Sequence, residues 1–409
     1  MNDCFAMPPE AGPRVLVLST LFPSKARPQA GLFIRERMRR VAERLPVVVV
    51  SPQPWFPLQA LIRIWRPHFR PDTDGHEQQQ NLQVHYPRFF SFPGVAKGLD
   101  GMWMALSCVS PLRRLKREFG FEVIDAHFAY PDGYAAVKLG QWFRVPVTIT
   151  LRGTEIPLSR DPARRKRMIE ALKRAEQIFS VSQSLKDHAI SLGVDGQKII
   201  VVGNGVDTEV FHPIDRDEAR QRLNIPGDAK VLISVGALVP RKGQHRVIEV
   251  LPRLVERFPN LLYLVVGGAS PEGDFSQQLM IQVSQLGLEN HVRFLGAMPP
   301  AELKLPLSAA DVFVLATSNE GWANVFLEAM ACGLPVVTTD VGGNREVVAR
   351  DELGSVVPFG DSQALGSALQ RALEQPWNRE AILAYARDNE WDRRIEKLVS
   401  RFQKLKGRT

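Results

Sequence analysis

Two glutamates and two cations have the types and spacing that could do chemistry. Glu320 and Glu328 are separated by seven residues in Glu-Gly-Trp-Ala-Asn-Val-Phe-Leu-Glu. Glu320 sits among turn-forming residues. Glu328 lies inside Ala323–Cys332, a run of good helix formers closed by Gly333 and Pro335, which reads as a helix. A carboxylate in a mostly apolar helix costs free energy unless something polar meets it. The N–H groups at the helix start, after Asn324, suit an anion such as a phosphate. The unit thus offers an anion cradle with two acceptors for hydroxyl groups beside it, which suits a phosphorylated sugar. The competing reading of the same residues is a turn glutamate and a partly exposed helix glutamate with no ligand. Arg241 and Lys242 close Gly236-Ala-Leu-Val-Pro-Arg-Lys-Gly243. Two cations in a strand-to-helix loop make a clamp for a diphosphate, although exposed Arg-Lys pairs are also common on solvated surfaces.

The elements that must position these groups follow from the apolar pattern. Val312–Leu315 is too short for a helix and reads as a buried parallel strand, and Val336–Thr339 as the next. The two strands and the helix between them form a β-loop-α-β unit. Its loop lies at the carboxyl end of a parallel sheet, where open α/β sheets bind ligands. Lys230–Val235 and the helix Gln244–Phe258 place the Arg-Lys loop in the same way. Leu261–Val266 ending at Gly267, and Val292–Leu295 ending at Gly296, add two ligand-facing turns. In the other half, Val15–Ser19, a loop ending at Gly31, a helix with Phe33, Met38, Val41 and Leu45 on one face, and Val47–Val50 form a βαβ opening. Gly31 lets a phosphate approach the backbone, or is simply a turn. Val123–Ala126 leads to His127, and Pro146–Leu151 leads to Arg152. Both residues are at strand ends.

Glu-Gly-Trp-Ala-Asn-Val-Phe-Leu-Glu-Ala-Met-Ala-Cys-Gly-Leu-Pro-Val-Val closely resembles the signature of the retaining GT-B glycosyltransferases of family 4. That family's hallmark is a pair of glutamates at this spacing. Asn-Gly-Val-Asp-Thr-Glu-Val-Phe, from Asn204, resembles its interdomain segment. Gly236–Gly243 resembles its phosphate loop, with Lys242 on the family's lysine and Ala237 where the family has arginine, so that either Arg241 takes over that charge or the site has one cation fewer. Asp-Ala-His-Phe-Ala-Tyr-Pro-Asp-Gly resembles the acceptor loop. Thr-Leu-Arg-Gly-Thr-Glu resembles a loop in which many members have histidine where Arg152 stands; an arginine there binds an anion rather than shuttling protons.

The resemblance implies an α/β chain of GT-B type: two doubly wound Rossmann-like domains facing a cleft. The acceptor domain is expected over residues 1–203, with a helix over about 388–406 packing back on it, and the nucleotide-sugar domain over 204–387. It implies Glu320, Lys242, Arg241 and His127 as catalytic residues. Donor contacts are expected from Gly236, Gly267, Gly296, Gly321, Asn324, Val325 and Glu328. Gly31 and Arg152 are expected on the acceptor or phosphate side. The implied reaction moves a sugar from a nucleoside diphosphate to a saccharide or lipid-linked hydroxyl, with retention and no metal or other cofactor, in cell-surface polysaccharide assembly. A catalytically degenerate sugar-nucleotide-binding module and a sugar-nucleotide epimerase of the same architecture are the alternatives.

The 409 residues suit two or three domains, and 44% hydrophobic with 23% charged residues suits a sizeable core. No apolar run approaches the ~18 residues of a membrane-spanning helix. Residues 1–13 read as extended or disordered, without the features of a signal peptide. Cys4, Cys108 and Cys332 are far apart and read as reduced thiols of a cytosolic protein. The net charge of +8 implies an anionic partner. No stacking-rich sheet or recognition-helix motif points to nucleic acid. Residues 54–118 read as the least regular part, 72–81 as a polar surface loop, and 361–375 as a polar helix. Trp55–Arg66 and the uncharged Gly101–Leu112 with Arg113, Arg114, Lys116 and Arg117 after it suit an anionic membrane surface on the inner face, or else an amino-terminal core with solvated cations. Arg160–Arg174 carries seven cations against two acids. It reads as a solvated helix face or as a phosphate-bearing acceptor's neighbour.

Overall fold

The computed structural model describes residues 12–28, 30–65, 69–270 and 272–406. The readings for residues 1–11, including Cys4, and for Arg66 lie outside the described residues. The chain divides into two compact units: Met1–Asn204 with Asp392–Thr409, and Gly205–Trp391.

The first unit holds β1 (Val15–Leu18), β2 (Val47–Val50), β3 (Gln53–Trp55), β4 (His76–Gln79), β5 (Leu82–His85), β6 (Arg88–Phe90), β7 (Val123–His127), β8 (Val147–Leu151), β9 (Gln177–Ser180) and β10 (Ile199–Val201). Eight of them form one sheet in the order β10-β9-β8-β7-β1-β2-β5-β4, and β3 pairs with β6. β1 and β2 are apolar throughout and fully buried, as strands covered on both faces must be. The helix Leu32–Ala42 leaves β1 through Gly31, whose φ is +74°. A Cβ there would fall 2.4 Å from the carbonyl oxygen of Leu21, so the turn needs glycine. The helix Trp391–Leu405 buries Ile395, Leu398 and Phe402. The Phe402 ring lies 5.8 Å from that of Phe179.

The second unit holds β11 (Lys230–Val235), β12 (Leu261–Val266), β13 (Val292–Gly296), β14 (Val312–Leu315), β15 (Val336–Thr339) and β16 (Gly354–Val357). Every pair is parallel. The order is β13-β12-β11-β14-β15-β16, the two-way winding of dinucleotide-binding sheets. Alternate strand residues feed two cores, one around Ile233, Phe313 and Phe326, the other around Leu232, Val314 and Leu251.

Three expectations change. Residues 72–81 are not all loop: β4 pairs antiparallel with β5. Its side chains are polar, but a ladder forms through the backbone, and the buried Glu77 finds the Lys25 N–H at 3.1 Å and the Tyr86 hydroxyl at 3.3 Å. Residues 54–118 contain β3 to β6 and two helices, Gln59–Trp65 and Asp100–Glu118. The helix Ser362–Glu374 is amphipathic rather than polar, because Leu365, Ala368, Leu369, Ala372 and Leu373 are buried along one stripe.

Candidate active site

In the second unit the winding reverses between β11 and β14, and the loops after these two strands meet. Lys242 leaves the loop after β11 and places Nζ 2.5 Å from Oε1 of Glu320, which follows β14. Arg241 donates through Nη1 to the same Oε1 at 3.2 Å and to the carbonyl of Asn319 at 3.1 Å. Its other edge is taken by Glu272, with Nε at 2.8 Å and Nη2 at 2.6 Å. Thr317 Oγ1 lies 3.4 Å from Glu320 Oε1. The cluster thus sets two cations against two carboxylates. Glu272 comes from the loop after β12, and no sequence pattern marked it.

Gly236, Gly267 and Gly296 are neighbours at the ends of β11, β12 and β13. The Gly267 N–H donates to the Gly296 carbonyl at 2.9 Å, and a Cβ on Gly267 would fall 1.8 Å from the Gly236 oxygen. The helix Asn324–Ala331 begins without a side-chain cap, since Ala323 precedes it. Asn324, Val325 and the buried Gly321 are all at that end. Glu328 faces differently from Glu320: it makes no hydrogen bond or ion pair among the described residues. Burial pushes its carboxyl up to about 7, with Lys242 pulling the other way. It keeps some exposed surface, so the burial cost falls on a group still open to a ligand.

The first unit reverses between β1 and β7, and there most of the polar groups are taken by one another, with Nε and Nη1 of Arg37 left buried without a hydrogen-bond partner. Asp132 accepts from the Thr20 N–H and, at 3.1 Å, from the Thr20 hydroxyl. Burial raises its carboxyl to about 7 against those bonds. His127 has no exposed surface. Its Nδ1 accepts from Arg152 Nε at 3.0 Å, and its Nε2 stands 3.3 Å from Asp125 Oδ2. A guanidinium only donates, so Nδ1 carries no proton and Nε2 does. Burial, with Arg152 next in weight, lowers the ring to about 4. Arg152 also bonds Asn204 Oδ1 at 3.2 Å and covers the Phe33 ring at 5.0 Å. Asn204 Oδ1 takes a second bond, at 2.9 Å, from the fully buried Arg37, which holds the carbonyls of Val202 and Gly203 as well. The expected catalytic place of His127 and the expected anion contact of Arg152 therefore have no geometric support. Each is spent on the other. Gly31 is a helix-entry turn packed on Leu21. Among the described residues, no group of three or more His, Cys, Asp or Glu side chains is gathered that could hold a metal ion.

The model of the family "Glycosyl transferases group 1" matches residues 215–389, and that of "Glycosyltransferase Family 4" matches residues 68–210. A D-inositol 3-phosphate glycosyltransferase of Actinosynnema mirum is 33% identical over 301 residues, 69% of this chain and 72% of that one. The chain belongs to the group 1 glycosyl transferases. Another relative of this glycosyltransferase, provisionally named the teichuronic acid biosynthesis glycosyltransferase TuaC of Bacillus subtilis, is 27% identical over 90% of this chain and 91% of that one. Among solved structures, sucrose-phosphate synthase of Thermosynechococcus elongatus superposes with a TM-score of 0.79 at 20% identity, covering 96% of this chain and 99% of its own. Anabaena HepE in complex with UDP superposes with a TM-score of 0.73 at 21% identity, covering 96% and 100%. At these identities the two structures establish the GT-B fold, with its two Rossmann-like domains.

Proposed function

We propose that this glycosyltransferase moves a sugar from a nucleoside-diphosphate sugar to a hydroxyl of a saccharide or lipid-linked acceptor. Transfer proceeds with retention and without a bound metal, in cell-surface polysaccharide assembly on the cytoplasmic side of a membrane. The observation that carries the reading is Glu328, an unpartnered carboxyl raised to about 7 beside the Lys242–Glu320 pair at the strand reversal. Such a carboxyl is expensive without a ligand, and two ribose hydroxyls would satisfy it. Lys242 moves from Glu320 to the diphosphate and steadies the negative charge that grows there as the glycosidic bond breaks. Glu320, released, accepts from hydroxyls of the donor sugar. HepE, which shares the fold, is seen with UDP, in keeping with a nucleotide donor. The role of TuaC, as named, is in keeping with a polysaccharide product.

One observation favours a second reading, a binding module without catalysis: Ala237 stands at the family's arginine, and Arg241 is already bonded to Glu272 and Glu320. A thermal-shift screen against UDP, GDP, ADP and their sugar conjugates, in EDTA, tests the first reading, because a ligand of the folded state raises Tm. A rise with one nucleotide, lost in Lys242→Ala, supports the donor site, and transfer to an acceptor in EDTA then separates enzyme from module. An absence of any rise in well-folded protein overturns the donor site.

A further inference from the structure

Of the fifteen large hydrophobic side chains that stand exposed among the described residues, nine lie between Leu58 and Leu106. Phe92 and Trp103 among them are joined by a run of packed rings. The Phe92 ring lies 5.4 Å from Phe56 and 5.2 Å from Phe90, and Phe90 lies 5.7 Å from Trp103. The helix Gln59–Trp65 starts just past Phe56, with the Gln59 N–H on the Phe56 carbonyl, and Gln59 is its one buried residue. Ile64 is 72% exposed and Trp65 87%. A monomer rarely leaves a large contiguous apolar patch without a partner.

Cations flank this surface on one side. The turn Lys97–Leu99 packs on the helix Pro162–Arg174: a Cβ on Gly98 would sit 3.1 Å from the Cβ of Ala163. Arg160, Arg165 and Lys166 are exposed there and make no side-chain hydrogen bond or ion pair among the described residues. With Ser159, Pro162 and Ile169 they line a cavity of about 440 Å³. Of the four cations that the sequence set beside Gly101–Leu112, two are employed within the fold and two, Arg113 and Arg117, are exposed. Arg114 pairs with Glu118, and Lys116 lies over Phe121. Met104, Cys108 and Leu112 of the same helix are core.

We propose that this surface docks the protein on an anionic phospholipid bilayer. Leu61, Ile64, Trp65 and Trp103 enter the interface, and Arg160, Arg165 and Lys166 meet headgroup phosphates. An apolar face with aromatic residues and a cationic flank is what an interfacial element presents to such a surface. The free cations set the sign of the partner's charge, and surface attraction to cations acts within a Debye length. The proposal goes beyond the transfer reading and does not need it, because binding to vesicles can be measured without any donor.

The test is sedimentation of the full chain with vesicles of phosphatidylcholine and phosphatidylglycerol, and with vesicles of phosphatidylcholine alone. Binding to the anionic vesicles and little to the neutral ones is expected. Arg160→Gln with Arg165→Gln and Lys166→Gln should weaken it on the order of a hundredfold, taking roughly fivefold for each cation. Ile64→Ser with Trp65→Ser should weaken it at all salt concentrations, whereas added salt alone removes only the charge contribution. Unchanged circular dichroism and Tm in both variants rule out misfolding as the cause. Protein that stays in the supernatant, or that binds as well in both variants as in the parent, overturns the proposal. So does a parent that forms a dimer lost in Ile64→Ser with Trp65→Ser while ignoring vesicles.

Discussion

At the strand reversal of the second unit, a lysine and an arginine share one carboxylate while a second carboxyl waits without a partner. At the reversal of the first unit the polar groups are largely turned on one another, Thr20 with Asp132, His127 with Arg152 and Asp125, Arg37 with Asn204, although Nε and Nη1 of Arg37 stay buried without a hydrogen-bond partner. Both sites stand where an open α/β sheet can take a ligand. What separates them is the carboxyl groups: Asp125 and Asp132 are bonded in the first, and Glu328 in the second is not. A buried polar group that is fully bonded holds structure in place, and one left short of partners, like Glu328, is the better sign of a ligand.

The sharpest break of this contrast is to disarm the open site. Lys242→Ala should cost about a hundred- to a thousandfold in the single-turnover transfer rate, and Glu320→Ala should cost a large factor as well, with the fold intact by circular dichroism. Transfer at the parental rate in either variant would remove the pair from catalysis.

Next in size is the closed site, read as stability. The His127 ring is neutral in the folded protein down to about 4, against 6.5 in the unfolded chain. Below pH 6.5 the unfolded state binds the extra proton, so stability present above that pH is lost as pH falls toward 4. The gap corresponds to roughly 3 kcal/mol as an upper figure. Denaturant unfolding between pH 7.5 and 5 should show this as a difference, the parent losing stability relative to His127→Asn, because Asp132 and Glu328, both raised to about 7, take up protons in the folded state of parent and variant alike and push stability the other way. A slope equal in parent and variant would take His127 out of the cause.

Glu328 tests the open site by pH. Its carboxyl is raised to about 7 by burial, and hydroxyls donate better to the ionised form. Affinity for a nucleoside-diphosphate sugar, whose own phosphates do not titrate in this range, should therefore fall as pH drops through 7, approaching tenfold per unit. Glu328→Gln should bind more weakly at pH 8 and lose the dependence. If the parent's affinity is flat from pH 8 to 6, the ribose assignment fails.

The parts of this organisation legible in the sequence are the local ones. The strand Val312–Leu315, the helix holding Glu328 and the strand Val336–Thr339 each announce themselves by length, apolarity and closing glycine or proline, and the seven-residue gap binds the two glutamates to one loop and helix. The Arg-Lys loop is readable for the same reason. What is not readable is made by distant segments. Asp125, Arg37 and Asn204 carry no mark of the network they join, since their partners lie up to 167 positions away. His127 at a strand end looks like a ligand-facing residue until Arg152 is seen to cover it. β4 escaped because polar side chains hide a backbone ladder at a sheet edge. The apolar surface was half visible: the composition of residues 54–118 showed it, but only packing shows which members of Gly101–Leu112 are core.

The smallest expected effect asks whether the open site is fully open. Glu272 holds the Nε and Nη2 edge of Arg241, and its own carboxyl is held below the usual range by those bonds. The pair is half exposed, so Glu272→Gln should change stability by less than about 1 kcal/mol. Its effect on binding separates two arrangements. If the carboxylate occupies an edge of Arg241 that a diphosphate must win, the variant should bind UDP or GDP several-fold more tightly and lower the donor KM with kcat little changed. If Glu272 instead aims Arg241 at the phosphates, the variant should bind more weakly. The first outcome is expected, because Arg241 already spends four N–H bonds on protein groups, three of them on carboxylates, and loses two of those three in the variant.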